Sequence, residues 1–264
     1  DYWWWTDGLF MVMPVMTRMH FLTGSGRFLQ AMERYFAYCR SAMYDEQRHI
    51  FYRDGGYVYP AHATSNGLPD FWSRAAGWSL AALAQTLETM PDTAASYATY
   101  MQVYRDECRA LAAWQQEDAA GRGYWTQSVC DPAYVPGYET SGTALDTYAM
   151  LVGLRKGWLE EEQYFPVVKR GWDYLVQVAL QREGDSRVPY IGYVQPIGAA
   201  ATSSTPASSE QDFGTGAFLL AAVEMVRYTE EKLAEDPTGL GSPATETAIA
   251  DPDARVDVFT AEGR

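Results

Sequence analysis

The hydrophobic positions of the chain recur with a helical period along most of its length. Leu80, Leu83, Ala84, Leu87 and Met90 fall at i, i+3, i+4, i+7 and i+10, a single apolar stripe that stops before Pro91. The same reading predicts helices near 8–22, 26–44, 72–90, 94–118, 140–157, 160–182 and 212–235. Val and Ile do not gather into alternating runs, so no sheet of consequence is expected. Short extended pieces fit Phe51–Tyr59 and Tyr190–Gln195.

Four of these helices open on small residues: Thr6-Asp7-Gly8, Ser73-Arg74-Ala75-Ala76-Gly77, Thr140-Ser141-Gly142-Thr143 and Gly214-Thr215-Gly216-Ala217. Taking Asp7, Gly77, Gly142 and Gly216 as marks gives spacings of 70, 65 and 74 residues. Between them stand longer, more polar helices: 26–44 with Arg27, Glu33 and Arg34, then 94–118 and 160–182. A period near 70 residues, one apolar helix and one polar helix per unit, is the pattern of a helical hairpin array. The apolar members belong inside and the polar members outside. The expected fold is therefore all-α, an (α/α)6 barrel with about seven helices present and about five more expected before Asp1. The alternative is an open helical layer that is complete as it stands. The toroid spans 1–235 as a partial catalytic domain, and 236–264, rich in Pro, Gly, Ala, Thr and Asp, reads as an irregular extension. The Ala/Ser/Thr-rich stretch Ala199–Ser209 reads as a loop, at a cleft mouth or simply in solvent.

Composition narrows the chemistry. With 264 residues and 47% hydrophobic content the chain can bury a large core and is not disordered. A formal charge of −14 argues against nucleic acid and against an anionic membrane surface. It still permits a small acidic substrate held by an arginine fork. The longest apolar stretch, Gly8 to Val15, is broken by Pro14 and is too short to span a membrane. Cys39, Cys108 and Cys130 lie far apart and read as buried or inert thiols. No metal or other cofactor is expected: His20, His49 and His62 are isolated, and HExxH, P-loop, GxGxxG and GxSxG patterns are missing. Acid/base work then falls to carboxylates. About half of the 9 Trp and 19 Tyr would fill a core, and the rest suit a wet, ring-stacking cleft.

Three clusters carry that chemistry. Trp3-Trp4-Trp5-Thr6-Asp7 runs indoles, with Trp4 as a sugar platform, into an acid at a helix start. Asp7 there is either an N-cap or an acid/base group, held ionised by the helix dipole and pushed up by an indole wall. Tyr52, Arg53 and Asp54, beside Gly55-Gly56, form an ordered polar loop or a turn with a surface ion pair. Trp72, Arg74 and Trp78 open the next apolar helix. Arg74 and Trp78 are four apart on one face, a fork and a stacking ring, unless Arg74 merely snorkels from the core. Tyr138-Glu139-Thr140-Ser141-Gly142 reads equally well as a cap followed by a helix, and Gln195 in Tyr193-Val194-Gln195-Pro196 is a candidate cleft residue.

Six segments, in order, cover most of 2–228: WWWTDGLFMVMPVM, IFYRDGGY, FWSRAAGW, GYETSGTALDTYA, GYVQPIG and DFGTGAFLLAA. As an ordered set they resemble the unsaturated rhamnogalacturonyl hydrolases, glycoside hydrolase family 105. The resemblance implies a six-hairpin (α/α) barrel and, as substrates, oligosaccharides made by pectin lyases, whose non-reducing end carries a C4=C5 unsaturated uronic acid. It implies that Asp7 protonates C4 while water adds at C5, after which the sugar opens and leaves. It implies that Trp72, Arg74 and Trp78 hold the uronate and that Tyr52, Arg53 and Asp54 face the substrate, although some members carry His where this chain has Arg53. A second aspartate important in that family would precede Asp1. The resemblance further implies no cofactor and a bacterial cytoplasmic or periplasmic setting. Related unsaturated glucuronyl hydrolases, acting on glycosaminoglycan or algal oligosaccharides, and a non-catalytic sugar-binding toroid are the alternatives.

Overall fold

The computed structural model describes residues 4–182, 188–198 and 203–235. Trp3, the extension 236–264 and residues 199–202 of the small-residue stretch lie outside the described residues. Seven α-helices are found among the described residues: α1 Thr6–Thr23, α2 Arg27–Met43, α3 Ser73–Thr89, α4 Tyr97–Trp114, α5 Thr140–Arg155, α6 Glu161–Tyr174 and α7 Asp212–Glu235. Among the described residues the strands form three two-residue antiparallel pairs, Tyr44–Asp45 with Ile50–Phe51, Gln116–Glu117 with Gly123–Tyr124, and Leu180–Gln181 with Tyr190–Ile191, beside a few isolated bridges.

Two predicted helices end early, for local reasons. α4 stops at Trp114, short of 118, because Asp118 builds a tight turn. Its Oδ1 accepts from Ala120 N and Arg122 N, at 2.9 and 3.0 Å, and folds the chain back on itself. α6 gives way to a π-helical turn, Leu175–Ala179, before the chain extends at Leu180. Of the extended piece expected at 51–59, Phe51 lies in a two-residue strand and Asp54 forms an isolated bridge, and the chain turns from Arg53 onward.

The apolar helices stand side by side in the order α1, α3, α5, α7, with α2, α4 and α6 packed outside them. The outer helices are amphipathic: α2 buries Met32, Phe36, Cys39 and Met43, one stripe of its surface. α5, flanked on both sides, is buried from Thr140 through Leu154. α1 and α7 end the row, and each leaves an apolar stripe in solvent: Met11, Val15, Met19 and Leu22 on one, Leu219, Val223 and Val226 on the other. This is the two-layer hairpin array of an (α/α) toroid.

Two of the small-residue marks are close helix contacts. A Cβ on Gly77 would lie 2.7 Å from Leu145 Cβ, and one on Gly142 would lie 2.5 Å from the carbonyl carbon of Ser73. α3 and α5 therefore approach through their first turns. Gly216 has nothing within 4 Å of an added Cβ and is no such contact. Gly142→Ala is expected to destabilise the fold by about 2–3 kcal/mol, because backbone and not a side-chain tip must yield. Urea unfolding reads this directly, and an unchanged midpoint would contradict it.

The three cysteines are free thiols. Cys39 and Cys108 are buried, Cys130 is half-buried, and burial pushes the Cys130 thiol up to about 12. Two acids lie between the layers. Glu107 on α4 is fully buried and accepts from Ser79 Oγ at 2.9 Å, and burial raises its carboxyl to about 8. Asp146 on α5 is also raised well above the usual range, by burial first, with Glu107 and Glu139 adding to it. Glu107 is thus protonated in the folded state near neutrality and ionised in the unfolded chain. The folded state binds the extra proton, so stability falls as pH rises from the ordinary carboxylate range to about 8. Glu107→Gln should flatten that part of the profile, measured as melting temperature between about pH 5 and pH 9. An unaltered slope would show that Glu107 does not carry it.

Candidate active site

The N-terminal ends of the inner helices meet at one end of the array, tied together by backbone. Thr6 N and Oγ1 both donate to Arg53 O, at 3.1 and 3.3 Å, and Trp5 pairs with Asp54. Gly55 N donates to Trp4 O at 3.3 Å. Gly55 is required there, since an added Cβ would sit 2.5 Å from the Trp4 indole. Ser73 N donates to Gln127 O, and Thr140 N to Tyr193 O, both at 3.0 Å. The segments 53–57, 125–129 and 193–196 are thereby fixed around the starts of α1, α3 and α5.

Asp7 is the second residue of α1 and is exposed. The N-cap position belongs to Trp5, and no side chain caps this helix. Asp7 makes no hydrogen bond or ion pair among the described residues, so it is not the N-cap that its residue type permits. The indole wall is open as well: Trp4 and Trp5 are 42% and 46% exposed. What remains is a free carboxylate in the positive field of a helix start, flanked by indole surface.

Arg53 and Asp54 form a short ion pair, Nε to Oδ2 at 2.6 Å, and Gly56 N holds the other carboxylate oxygen at 2.7 Å. Aromatic rings surround the Arg53 guanidinium: Tyr57 at 3.9 Å, Trp72 at 4.6 Å and Trp5 at 4.7 Å from its carbon. Arg74 also neighbours Trp72, with its guanidinium carbon 5.7 Å from that ring and 4.7 Å from Phe213. Its Nη1 donates to Gln195 O at 2.9 Å and Ser141 Oγ at 3.2 Å, and its Nη2 to Pro196 O at 3.3 Å. Burial pulls this guanidinium below its usual value, Arg53 adds to the pull, and Glu139 and Asp7 oppose it.

The structure thus brings together Trp4, Asp7, Arg53, Asp54, Trp72, Arg74 and the Gln195 turn. Tyr52 and Trp78 stand apart. Tyr52 stacks on Phe71 at 4.4 Å and donates its hydroxyl to Asp45 Oδ2 at 2.8 Å. Trp78 is 7% exposed and packs on Phe10 at 4.4 Å, inside the α1–α3 seam. Gln195 is buried, and its backbone N donates to Glu139 Oε1 at 3.2 Å.

Glu139 is the residue whose role the pattern understates. Fully buried, it caps α5 by accepting from Ser141 N at 3.1 Å and Gly142 N at 2.7 Å. It also accepts from Ser141 Oγ at 2.6 Å and stands 3.9 Å from Arg74 Nη1. Glu is outside the favoured N-cap set, so the Thr and Ser that follow look like the better caps. Residues 203–209 dock beside this centre: Gln127 Nε2 donates to Ser203 O, and Val194 N to Ser209 O, at 2.8 and 3.0 Å.

Comparison with known proteins supports the fold. The family model described as Glycosyl Hydrolase Family 88 matches residues 1–229. The unsaturated 3S-rhamnoglycuronyl hydrolase of Formosa agariphila is 34% identical over 234 residues, 86% of this chain and 59% of that protein. A solved structure described as a polysaccharide lyase superposes with TM-score 0.80 at 47% identity, covering 87% of this chain and 63% of the other. A family 105 glycoside hydrolase from C. acetobutylicum ATCC 824 superposes with TM-score 0.66 at 26% identity, covering 83% of this chain and 64% of the other. The chain spans about three-fifths of the length of each of these relatives. With a family match running from residue 1 to residue 229, into the last of the seven helices, the chain belongs to glycosyl hydrolase family 88.

Proposed function

We propose that this protein removes a C4=C5 unsaturated uronyl residue from the non-reducing end of rhamnose-containing oligosaccharides, with unsaturated galacturonyl–rhamnose from pectin as its substrate. The observation that carries the reading is Asp7, a carboxylate at a helix start, within electrostatic reach of the Arg74 guanidinium and next to open indole faces. An anionic sugar can stack there, place its acid group on a guanidinium and turn its C4=C5 bond to the acid.

In the proposed reaction, Asp7 in its acid form gives a proton to C4 of the enol ether and positive charge develops at C5. Water adds at C5 and returns a proton to Asp7, which completes the acid/base cycle. C5 then carries both a hydroxyl and the ring oxygen, a hemiketal. The hemiketal opens to a ketone at C5 and leaves C1 as a hemiacetal bearing the rhamnose, which departs. One water is consumed, and the C1–oxygen bond breaks only after the double bond has gone.

The lyase step that makes such substrates abolishes the stereocentres at C4 and C5 that distinguish one uronic acid from another. Discrimination therefore rests on the anomeric linkage and on the neighbouring rhamnose. The name of the Formosa agariphila relative favours a second reading, in which that rhamnose carries a sulfate. The description of the 47% identical structure favours a third, polysaccharide elimination. Ultraviolet absorbance separates hydration from elimination by sign. Hydration of an unsaturated galacturonyl–rhamnose oligosaccharide lowers the absorbance of the C4=C5 bond as rhamnose-ended product appears. A rise on intact polysaccharide would place the protein with the lyases instead.

A further inference from the structure

The two guanidinium groups near the Trp72 ring are not equivalent. A guanidinium has five N–H donors in one plane. In Arg74, both Nη1 hydrogens and one on Nη2 already point at fixed protein acceptors, Ser141 Oγ, Gln195 O and Pro196 O. Its side chain is 8% exposed. It acts as a strap, holding the 195–196 turn onto the starts of α3 and α5. That turn begins at Tyr193, whose backbone adopts φ 58°, left-handed and strained for a bulky residue. Freeing the Arg74 fork for a ligand would mean releasing two backbone carbonyls and a buried hydroxyl.

Arg53 is arranged the other way. Among the described residues only its Nε carries a protein hydrogen bond, to Asp54. Tyr57, Trp72 and Trp5 cover the guanidinium, so it can receive a further partner only in its own plane. The Nε edge is closed by Asp54, and Asp54 is itself fixed by Gly56 N. The edge formed by the two Nη groups remains, on a side chain that is 15% exposed and whose backbone carbonyl anchors the residue before Asp7. A planar fork held rigid by rings and a carboxylate is a bidentate oxyanion receptor with little reorganisation left to make.

Resting on the proposed reaction, we propose that Arg53 takes an oxyanion of the substrate bidentately through its two Nη groups, while Arg74 serves as a positioning residue for the 195–196 turn. The oxyanion is the carboxylate of the unsaturated uronate or a sulfate ester on the adjoining rhamnose, two sources of the same chemistry.

The test titrates and assays three sugars with the wild-type protein and with Arg53→Gln, Arg53→Lys and Arg74→Lys. The sugars are unsaturated uronyl–rhamnose as the free acid, the same sugar as its neutral methyl ester, and the free acid with a 3-sulfated rhamnose. Arg53→Gln is expected to weaken binding of the free acid, and raise its KM, by about 10- to 100-fold, with the methyl ester altered less than about twofold. Arg53→Lys, which keeps the charge and loses the fork, should fall between. A loss confined to the sulfated sugar also supports the proposal and assigns the oxyanion to sulfate. Equal losses on charged and neutral sugars would overturn it, as would a charge-selective loss from Arg74→Lys in place of Arg53→Gln. Calorimetry reads binding without turnover. Charge-selective binding through Arg53 with no turnover would sink the proposed reaction and leave the receptor standing, whereas no binding of either acid by the wild-type protein overturns both.

Discussion

Replacing Asp7 by Asn is expected to lower turnover of the unsaturated disaccharide by about a thousandfold or more while leaving the fold intact. The two effects separate because of where Asp7 stands. It is exposed, caps nothing and holds no partner among the described residues. Its removal therefore takes away only a first-turn charge, a stability change of under about 1 kcal/mol. Binding should barely change, since the rings and guanidinium groups remain, so the loss should appear in kcat with KM nearly constant. A structural acid would give the opposite pattern, with the melting temperature falling and activity surviving in the molecules that fold.

The largest expected loss of stability lies at the other end of the inner helices. Arg155, near the end of α5, holds Glu88 of α3 through Nη2 at 2.5 Å and also hydrogen-bonds Glu224 of α7 through Nε. Glu224 is 1% exposed, and its remaining cation, Arg227, is 3.3 Å away. One guanidinium thus ties three neighbouring inner helices together. Arg155→Met would leave Glu224 buried with a single, mostly exposed partner, at a cost of about 3–5 kcal/mol. Urea unfolding should show it as a lowered midpoint. Adding Glu224→Gln should restore much of the loss, since the stranded charge goes with it. The acid side should respond too. Burial pushes the Glu88 carboxyl up, but Arg155 and Lys156 outweigh this and hold it below its usual value. Its stabilisation is present above the ordinary carboxylate range and is lost as pH falls through the folded value, a loss that should shrink in Arg155→Met.

What could be read from sequence was what local rules govern. Apolar period three to four marks all seven helices, and the small starts at Gly77 and Gly142 are real points where α3 and α5 touch. α4 and α6 end short of their apolar stripes because Asp118 and the π turn at Leu175 override a pattern that continues past them. Around the site, Asp7, Arg53 and Arg74 were legible as residue types at helix starts and turns. Their division of labour was not. Tyr52 and Arg53 are neighbours in sequence, yet Tyr52 packs on Phe71 while Arg53 meets Tyr57 and Trp72, and only the fold decides which of them reaches the site. Trp78 shares a face with Arg74, but one turn deeper that face is the seam against Phe10. Arg74 meets acceptors at 195 and 196, more than a hundred residues away, through a turn that depends on a left-handed Tyr193.

The central claim is that the double bond, and not the glycosidic bond, is attacked first. Running the wild-type reaction in water containing methanol tests it most directly. Methanol adding at C5 forms a ketal that cannot open, so the predicted product keeps its rhamnose, carries a methoxyl group at C5 and no longer has the C4=C5 absorbance. Recovery of a methyl glycoside at C1 with the double bond intact would contradict the account.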